Sequence, residues 1–521
     1  MARMRRGRAN RPPPPPLRLA AYRQPGWLSR HRRLALGMMF VLMFFYSALF
    51  LLIGRWLIVQ FMIPVAILAL LIIWALPESQ RIPSLWLERF FFAFMAAMLF
   101  WPDYLALQLP AMPWITAARL IGLPMVVLLL ICLSQSPDFR REMAAKLRAN
   151  IWLTRLMTVY VVLCVLSIGF SSQPVSSANL LVVGLVNWVA VFLVALYVLS
   201  KDANIDRFVR LVWLAVVVWF ALGIWEGAVG HVPWAYNIPP FLKVEDELLQ
   251  TIINGSRRAA TGIYRVQGKY TTPLSLAEFM ALATPIFIHL AMTAKSRVKR
   301  VFAAATLPAI FFVMLATDSR LGVLGFLLAF VIYLFFWSAR QWKTVKGSLL
   351  GPALSLAYPF IFISFLAATV LIGRLRRLVW GTGAQASSTD SRQAQLEMGW
   401  ADFIARPWGY GFGRAADTLG YRDLAGRLTI DNYYLSVTLD IGIIGLCVYL
   451  AMFLVTIYRG GSRSITDHDE ISGWIVPVGV SLINFVIIKS VLSQVEGHAF
   501  AFALLGFLAA LLARPRSDLR R

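Results

Sequence analysis

The feature that most constrains this chain is a succession of apolar runs. They fall at about 34–53, 56–76, 90–109, 115–133, 151–170, 178–199, 208–229, 274–294, 301–317, 321–338, 350–372, 433–457, 472–492 and 498–513. A helix of about 20 apolar residues crosses a bilayer core, and most of these runs approach that length. Within lipid each segment must satisfy its own backbone N–H and C=O groups, so such runs fold as helices. The expected fold is therefore all-α, a polytopic membrane protein with about 12–14 transmembrane helices. Composition agrees: 59% of the 521 residues are apolar, 14% are charged, and the mean hydropathy is +0.69. So apolar a chain cannot cover itself with polar surface, which excludes a soluble enzyme, a secreted disulfide scaffold and a disordered tail. Cys132, Cys164 and Cys447 are too few for a disulfide framework or a zinc site, and neither a metal nor a cofactor is expected.

Fifty Lys and Arg against 25 Asp and Glu give a net charge of +25, which suggests a nucleic-acid partner until the charges are placed. Residues 1–33 hold ten arginines, no acid and the run Pro12–Pro16, which cannot join a helix. No aromatic pattern or motif accompanies them, so no nucleic acid is expected. The tail reads either as a cytoplasmic orientation signal or as a polybasic segment touching anionic lipid. It is not expected to be a cleaved signal peptide, because no small-residue cleavage site follows. With the N-terminus inside, the connections on that side and the two termini carry most of the basic residues. Among them are Arg140, Arg141, Lys146 and Arg148, then Lys295, Arg297, Lys299 and Arg300, then Arg340, Lys343 and Lys346. The short outward loops hold only Arg55 and Arg320. This is the positive-inside pattern, so both termini are expected in the cytoplasm. The chain then divides into a basic tail (1–33), an N-terminal transmembrane bundle (34–229) and an outward loop (230–273). Further transmembrane helices (274–372), a large outward loop (373–432), the last transmembrane helices (433–513) and a basic tail (514–521) follow.

The two long outward segments escape the orientation rule, so their charge can serve another purpose. The first holds Lys243, Arg257, Arg258, Arg265 and Lys269; the second includes Arg374, Arg376, Arg377, Arg392, Arg406 and Arg414. A helix is expected in the second loop, capped by Ser388 or Thr389. Its apolar stripe is Leu396, Trp400, Phe403 and Ile404, and Pro407 stops it. It would lie on the outer leaflet or form a soluble lid over the membrane domain. Within the runs, Arg119, Glu278 and Lys489 lie near outer ends, while Arg155 and Arg210 near inner ends are accounted for by snorkelling. No charge is read near a span centre, which disfavours an ion-coupled transporter or flippase and favours chemistry at the outer membrane–water boundary.

Three outward stretches carry that chemistry. One is Arg265-Val-Gln-Gly-Lys269-Tyr270-Thr-Thr-Pro273, leading into the run with Glu278. Another is the turn Thr317-Asp318-Ser319-Arg320-Leu-Gly322. The third is Asp431-Asn432-Tyr433-Tyr434-Leu435, followed by Asp440-Ile-Gly442-Ile-Ile-Gly445 and preceded by Arg406-Pro407-Trp-Gly409-Tyr-Gly411-Phe-Gly413. Arginines at a lipid interface suit a diphosphate, because guanidinium stays charged and grips phosphate with paired donors. A neighbouring carboxylate can take a proton from an attacking hydroxyl. His498 and Glu496, at the turn before the last run, are further base candidates, with Lys489 expected to neutralise Glu496. These residues specify an outward site for an anionic, lipid-borne substrate and do not name a sugar.

Over roughly 260–455 the order and placement of these motifs resemble the O-antigen ligase and polymerase superfamily of bacterial inner-membrane glycosyltransferases. The resemblance implies a periplasmic loop acting as a lid, and transfer of glycan from undecaprenyl diphosphate to a hydroxyl without metal or nucleotide. It implies that Arg265 and Arg320 hold the diphosphate, with Arg376 and Arg377 helping. Lys269, Tyr270, Gly411, Gly413, Asn432 and Tyr433 would form the substrate-binding loop. Ligases of the family usually carry a His where this chain has Asp431, so the catalytic base is expected to be Asp431, or failing that Glu278. Asp431 could instead simply cap the helix that follows. The expected activity is that of a polysaccharide polymerase for exopolysaccharide, capsule or O-antigen in the inner membrane, facing the periplasm. The other reading is a ligase transferring finished glycan to lipid A core or protein. Implied partners are the lipid-linked oligosaccharide, the bilayer, a chain-length regulator and a flippase.

Overall fold

The computed structural model describes residues 41, 57–79, 82–107, 115–242, 252–253, 255–257, 262–344, 347–373, 376, 386–423, 426–466 and 471–515. The chain divides into two compact units, Met1–Ile72 and Ile73–Arg521. In the first, the basic tail and all but Val41 of the expected span 34–53 lie outside the described residues. The helix α1, Leu57–Ala75, begins there and is apolar except at Gln60.

The second unit is helical; its described residues also form two short hairpins, β1 Ala106–Leu107 with β2 Ile115–Thr116 and β3 Ser256–Arg257 with β4 Tyr264–Arg265. Its first helices are α2 Ser84–Phe100, α3 Ala117–Gln135, α4 Pro137–Ala149 and α5 Ile151–Ser167. Next come α6 Pro174–Gly184, a π turn Leu185–Ala190, α7 Val191–Val198 and α8 Asp202–Val229. Then follow α9 Pro273–Thr293, α10 Arg297–Ala316, α11 Arg320–Thr344 and α12 Leu350–Leu371. The remainder are α13 Ala386–Ala405, α14 Ala415–Leu419, α15 Tyr433–Thr466, α16 Ile475–Lys489 and α17 His498–Leu512. Among the described residues ten helical segments are long and apolar enough to cross a membrane, and α17 is a shorter apolar helix. The chain is thus an all-α polytopic membrane protein.

The helix starts follow local chemistry. Thr272 accepts a hydrogen bond from Ser275 N (3.4 Å) ahead of Pro273, and Ser136 accepts one from Phe139 N (3.1 Å) ahead of Pro137. A short polar side chain and a proline at the first helical position are the two common devices for satisfying or omitting the free N–H groups there. Two elements depart from the hydropathy pattern. The expected span at 90–109 starts at Ser84 and ends at Phe100. Glu88 and Arg89 dilute the hydropathy of its first turns, and Pro102 follows its end. The connection after α3 is itself the amphipathic helix α4, whose Phe139 and Met143 are buried while its arginines face outward.

The core surrounds α9, which is 83% buried over its apolar window, whereas α12 is only 6% buried. On α11, a Cβ at Gly322 would stand 2.7 Å from Ala277 Cβ, and one at Gly325 would stand 2.9 Å from Ala281 Cβ. Glycines against alanines let the two backbones approach closely, as small residues do where membrane helices cross. Asn484 of α16 ties the three helices together, donating to Ala281 O and Gly325 O, both at 3.0 Å. That seam fixes Arg320, at the start of α11, beside the first turns of α9.

Candidate active site

One end of the second unit gathers every described outward motif. Strand β4 runs along the turn between α10 and α11: Val266 N donates to Ala316 O (3.0 Å), and Arg265 Nε donates to Thr317 O (3.0 Å). The first two arginine motifs therefore share one rim, with the Arg265 guanidinium bonded three residues before Arg320. Asp318 in that turn has φ +48°, a left-handed conformation uncommon outside glycine and frequent at functional turns.

What holds the Arg265 segment is a residue the hydropathy reading passed over. Glu226, near the end of α8 and fully buried, accepts from Tyr264 Oη (2.9 Å), Gln267 N (2.8 Å) and Gly268 N (2.9 Å). A carboxylate with three donors shapes the loop into a fixed turn. The signal available in the sequence was a single acid close to the outer end of the run 208–229. On this loop Lys269 is 2% exposed, and its ammonium lies 4.5 Å from the Tyr270 ring centre, with no hydrogen-bond acceptor among the described residues. Tyr270 is itself buried and stacks on Phe279.

Glu278 sits one turn into α9 and is wholly enclosed, its two oxygens 2.9 and 3.2 Å from Lys489 Nζ. Lys489 also donates to Gln494 O at 2.6 Å. The pairing of Lys489 with Glu496 expected from sequence does not occur, because the acid facing the lysine across the helix seam is Glu278. Glu496 accepts from Thr271 N (3.0 Å) and so ties the last outward turn to the Arg265 loop. His498 is buried among Trp188, Tyr433, Tyr449 and Phe485, its ring 4.6 Å from that of Tyr433, and acts as a packed core residue.

The third motif closes the rim. Asn432, not Asp431, caps α15, accepting from Tyr434 N (2.9 Å) and Leu435 N (3.3 Å). That capping use engages the Asn432 side-chain oxygen and frees the Asp431 carboxyl from the cap. Asp431 donates its backbone N–H to Gln395 Oε1 (2.8 Å), and its carboxylate lies 3.8 Å from Arg392 Nε of α13. Burial pushes the Asp431 carboxyl above the ordinary carboxylate range, with the Arg392 guanidinium opposing the shift. Ser493 Oγ donates to Ile430 O, so the turn carrying Glu496 touches the residue before Asp431.

The Gly-rich turn does not stand free as a ligand loop. Asp440 Oδ1 accepts from Arg414 N (2.8 Å) and Ala415 N (2.7 Å), and Gly411 N bonds to Asp440 O. The Arg414 guanidinium reaches Gln173 (2.8 Å), Ser176 (2.9 Å) and Asp417 (2.9 Å). Gly411 packs where a Cβ would stand 2.5 Å from Ser171, while Gly413 and Tyr433 line a cavity beneath the turn. Arg376 is exposed, and Arg377 lies outside the described residues. Helix α13 ends before Pro407 as expected, but it begins at Ala386, so Ser388 and Thr389 lie inside it and neither is the expected cap; Leu396, Trp400 and Ile404 are exposed.

Residues 304–450 match the family model described as O-antigen ligase, a stretch that contains Arg320, the Gly-rich turn and Asp431. No curated protein matches the chain. Members of that family are glycosyltransferase-like enzymes. Over residues 304–450, then, this multi-pass membrane protein is similar to the O-antigen ligase family, consistent with the O-antigen ligase and polymerase superfamily.

Proposed function

We propose that the protein is a polysaccharide polymerase of the bacterial inner membrane. It would join repeats carried on undecaprenyl diphosphate on the periplasmic side and need no metal. The observation that carries this reading is the bond from Arg265 to the Thr317 carbonyl, which brings two arginine motifs to one rim, with the enclosed Lys269 on the same loop and no acceptor for its ammonium among the described residues. A rim rich in fixed cations is the environment in which a departing diphosphate gains stabilisation as its charge develops. The acceptor hydroxyl oxygen forms the new bond to the donor's anomeric carbon. The bond from that carbon to the diphosphate oxygen breaks with inversion, and the hydroxyl proton passes to Asp431. Arg265 and Arg320 hold the leaving group, with Arg376 and Arg377 at the edge. Asp431 is preferred to Glu278 as base because Glu278 is sealed against Lys489, whereas Asp431 is partly exposed and its carboxyl is not the helix cap.

The ligase reading rests on the same rim and differs in the acceptor. Deleting the gene in its own host separates the two. Accumulated single repeats on the carrier are the expected result, and long lipid-linked polymer awaiting transfer would replace the polymerase by a ligase. Arg265→Ala and Arg320→Ala are each expected to lower transfer by about 10²–10³-fold, the usual cost of removing one donor to a transition-state anion. Unchanged polymer yield in both variants, at normal expression, would end the diphosphate-clamp reading.

A further inference from the structure

Beneath the Gly-rich turn lies a cavity of about 200 Å³ whose walls the transfer chemistry above leaves unused. Trp188, Phe412 and Tyr433 supply aromatic faces to it; Asn187, Ser436 and Ser493 supply an amide and two hydroxyls. Asn187 and Trp188 stand on the π turn Leu185–Ala190, the one described place where the α6–α7 span leaves α-helical geometry. Single π turns inside helices recur at functional sites, where the extra residue re-aims side chains. The Asn187 amide has no hydrogen-bond partner among the described residues and borders the cavity. Two lining residues lead toward the proposed base: Ser493 bonds to the carbonyl of Ile430, the residue before Asp431, and Tyr433 follows Asp431 by two positions.

This lining selects among ligands. No Lys or Arg borders the cavity, so a diphosphate would find no counter-charge there. An isoprenyl chain would gain nothing from an unpaired amide and two hydroxyls, and burying them against hydrocarbon would cost their hydration. A pyranose ring offers an apolar C–H face for the aromatic planes and a hydroxyl edge for the amide and hydroxyls. The volume is below the roughly 300–1,000 Å³ of pockets for drug-sized ligands, which suits a single sugar residue. We propose that the cavity is a sugar subsite that seats the terminal residue of the acceptor glycan, with a hydroxyl toward Asp431. The proposal rests on the transfer reaction above and specifies where its acceptor binds.

The test uses the full-length protein in nanodiscs, with membrane-extracted lipid-linked repeats from its own host as substrate. Two quantities are read: conversion to longer glycan, and thermal stabilisation by undecaprenyl diphosphate alone. Asn187→Phe fills the cavity and should lower conversion at least about tenfold, while stabilisation by undecaprenyl diphosphate stays at the wild-type value. Asn187→Ala, which adds no bulk and decides the matter if Asn187→Phe does not fold, should raise the acceptor concentration for half-maximal rate about five- to tenfold with kcat little changed. Wild-type conversion in both variants would overturn the subsite. So would loss of undecaprenyl diphosphate stabilisation in a folded Asn187→Phe, which would assign the cavity to the carrier. A wild-type protein that neither converts the repeats nor responds to undecaprenyl diphosphate would overturn the transfer reading itself.

Discussion

Around the first turns of α9, charged groups are enclosed and joined to elements distant in sequence. Glu278 meets Lys489 across 211 positions with neither side chain exposed, and Glu226 holds a loop some forty positions away. At the opposite, basic end the ion pairs are of another kind. Arg141–Asp138 and Lys146–Glu142 are neighbours on one helix, and Arg514–Asp202 and Arg140–Glu78 each keep a partner at least a third exposed. An exposed pair in water contributes little, whereas an enclosed charge must be met or it destabilises strongly. Apart from Glu88, buried and bonded to Lys201 and Asn204, and the buried Arg463, the basic end can therefore serve orientation with charges that each contribute little to stability. At the site end each charge is committed to one geometry, and that commitment holds the arginine loop and turn in register.

The contrast is broken most directly at Glu278. Replacing it by Ala leaves Lys489 buried without its partner and should cost about 3–5 kcal/mol, read as loss of folded protein in detergent melting curves. The double change Glu278→Leu with Lys489→Met should recover most of that loss. Failure to recover would mean that the pair acts beyond its own charges. Next comes Asp431→Asn, expected to lower transfer by about 10²–10⁴-fold without changing the melting temperature. Because burial raises the Asp431 pKa, activity should fall on acidification at a pH above the ordinary carboxylate range. Arg392→Gln removes the opposing cation and should move that acid limb upward; an unmoved limb would assign the base elsewhere. A smaller effect is expected from Glu226→Gln, which loses the charge that two backbone N–H groups and Tyr264 point at. It should cost about 1–3 kcal/mol and expose the 262–272 segment to faster hydrogen exchange. The least effect belongs to Arg141→Ala, at most about 1 kcal/mol, since its pair with Asp138 is open to water. A loss there matching that at Glu278 would erase the distinction between the two ends.

The spans were legible because a run of apolar residues has one fold available in lipid, and the described helices follow the runs closely. The exceptions mark where hydropathy is silent. Helix α4 is too polar to register as a span, and Glu88 with Arg89 hid the start of α2. The candidate site was legible as types and order: Arg265, Arg320 and Asp431 stood out as polar residues in loops and turns, and the described structure bonds their segments together through Thr317, Glu496 and Ser493. What sequence could not decide was which of two adjacent residues caps α15, since Asp431 and Asn432 are both good caps and only backbone direction chooses Asn432. Nor could it pair Lys489, because Glu278 and Glu496 are both acids near the outer end and only the helix seam brings Glu278 opposite. Glu226 escaped notice because one acid in the apolar run 208–229 barely changes its hydropathy.

The kink in α15 has a consequence for how this chain is made. At Gly442 the backbone turns to φ +78° and ψ +176°, and the residues before it supply the missing ladder: Tyr410 N bonds to Leu439 O, Gly411 N to Asp440 O, and Ile443 N to Pro407 O. A Cβ at Gly442 or Gly409 would stand within 2.8 Å of the other strand's backbone, so the crossing has no room for a side chain. A span interrupted in this way cannot complete its hydrogen bonds from its own residues, and lipid offers none. During synthesis the turn at 407–411 emerges first, before the residues of α15 that it must bond. The helix thus receives its final shape only once its own preceding loop is in place, which makes the docking of that loop a checkpoint in the assembly of the candidate site.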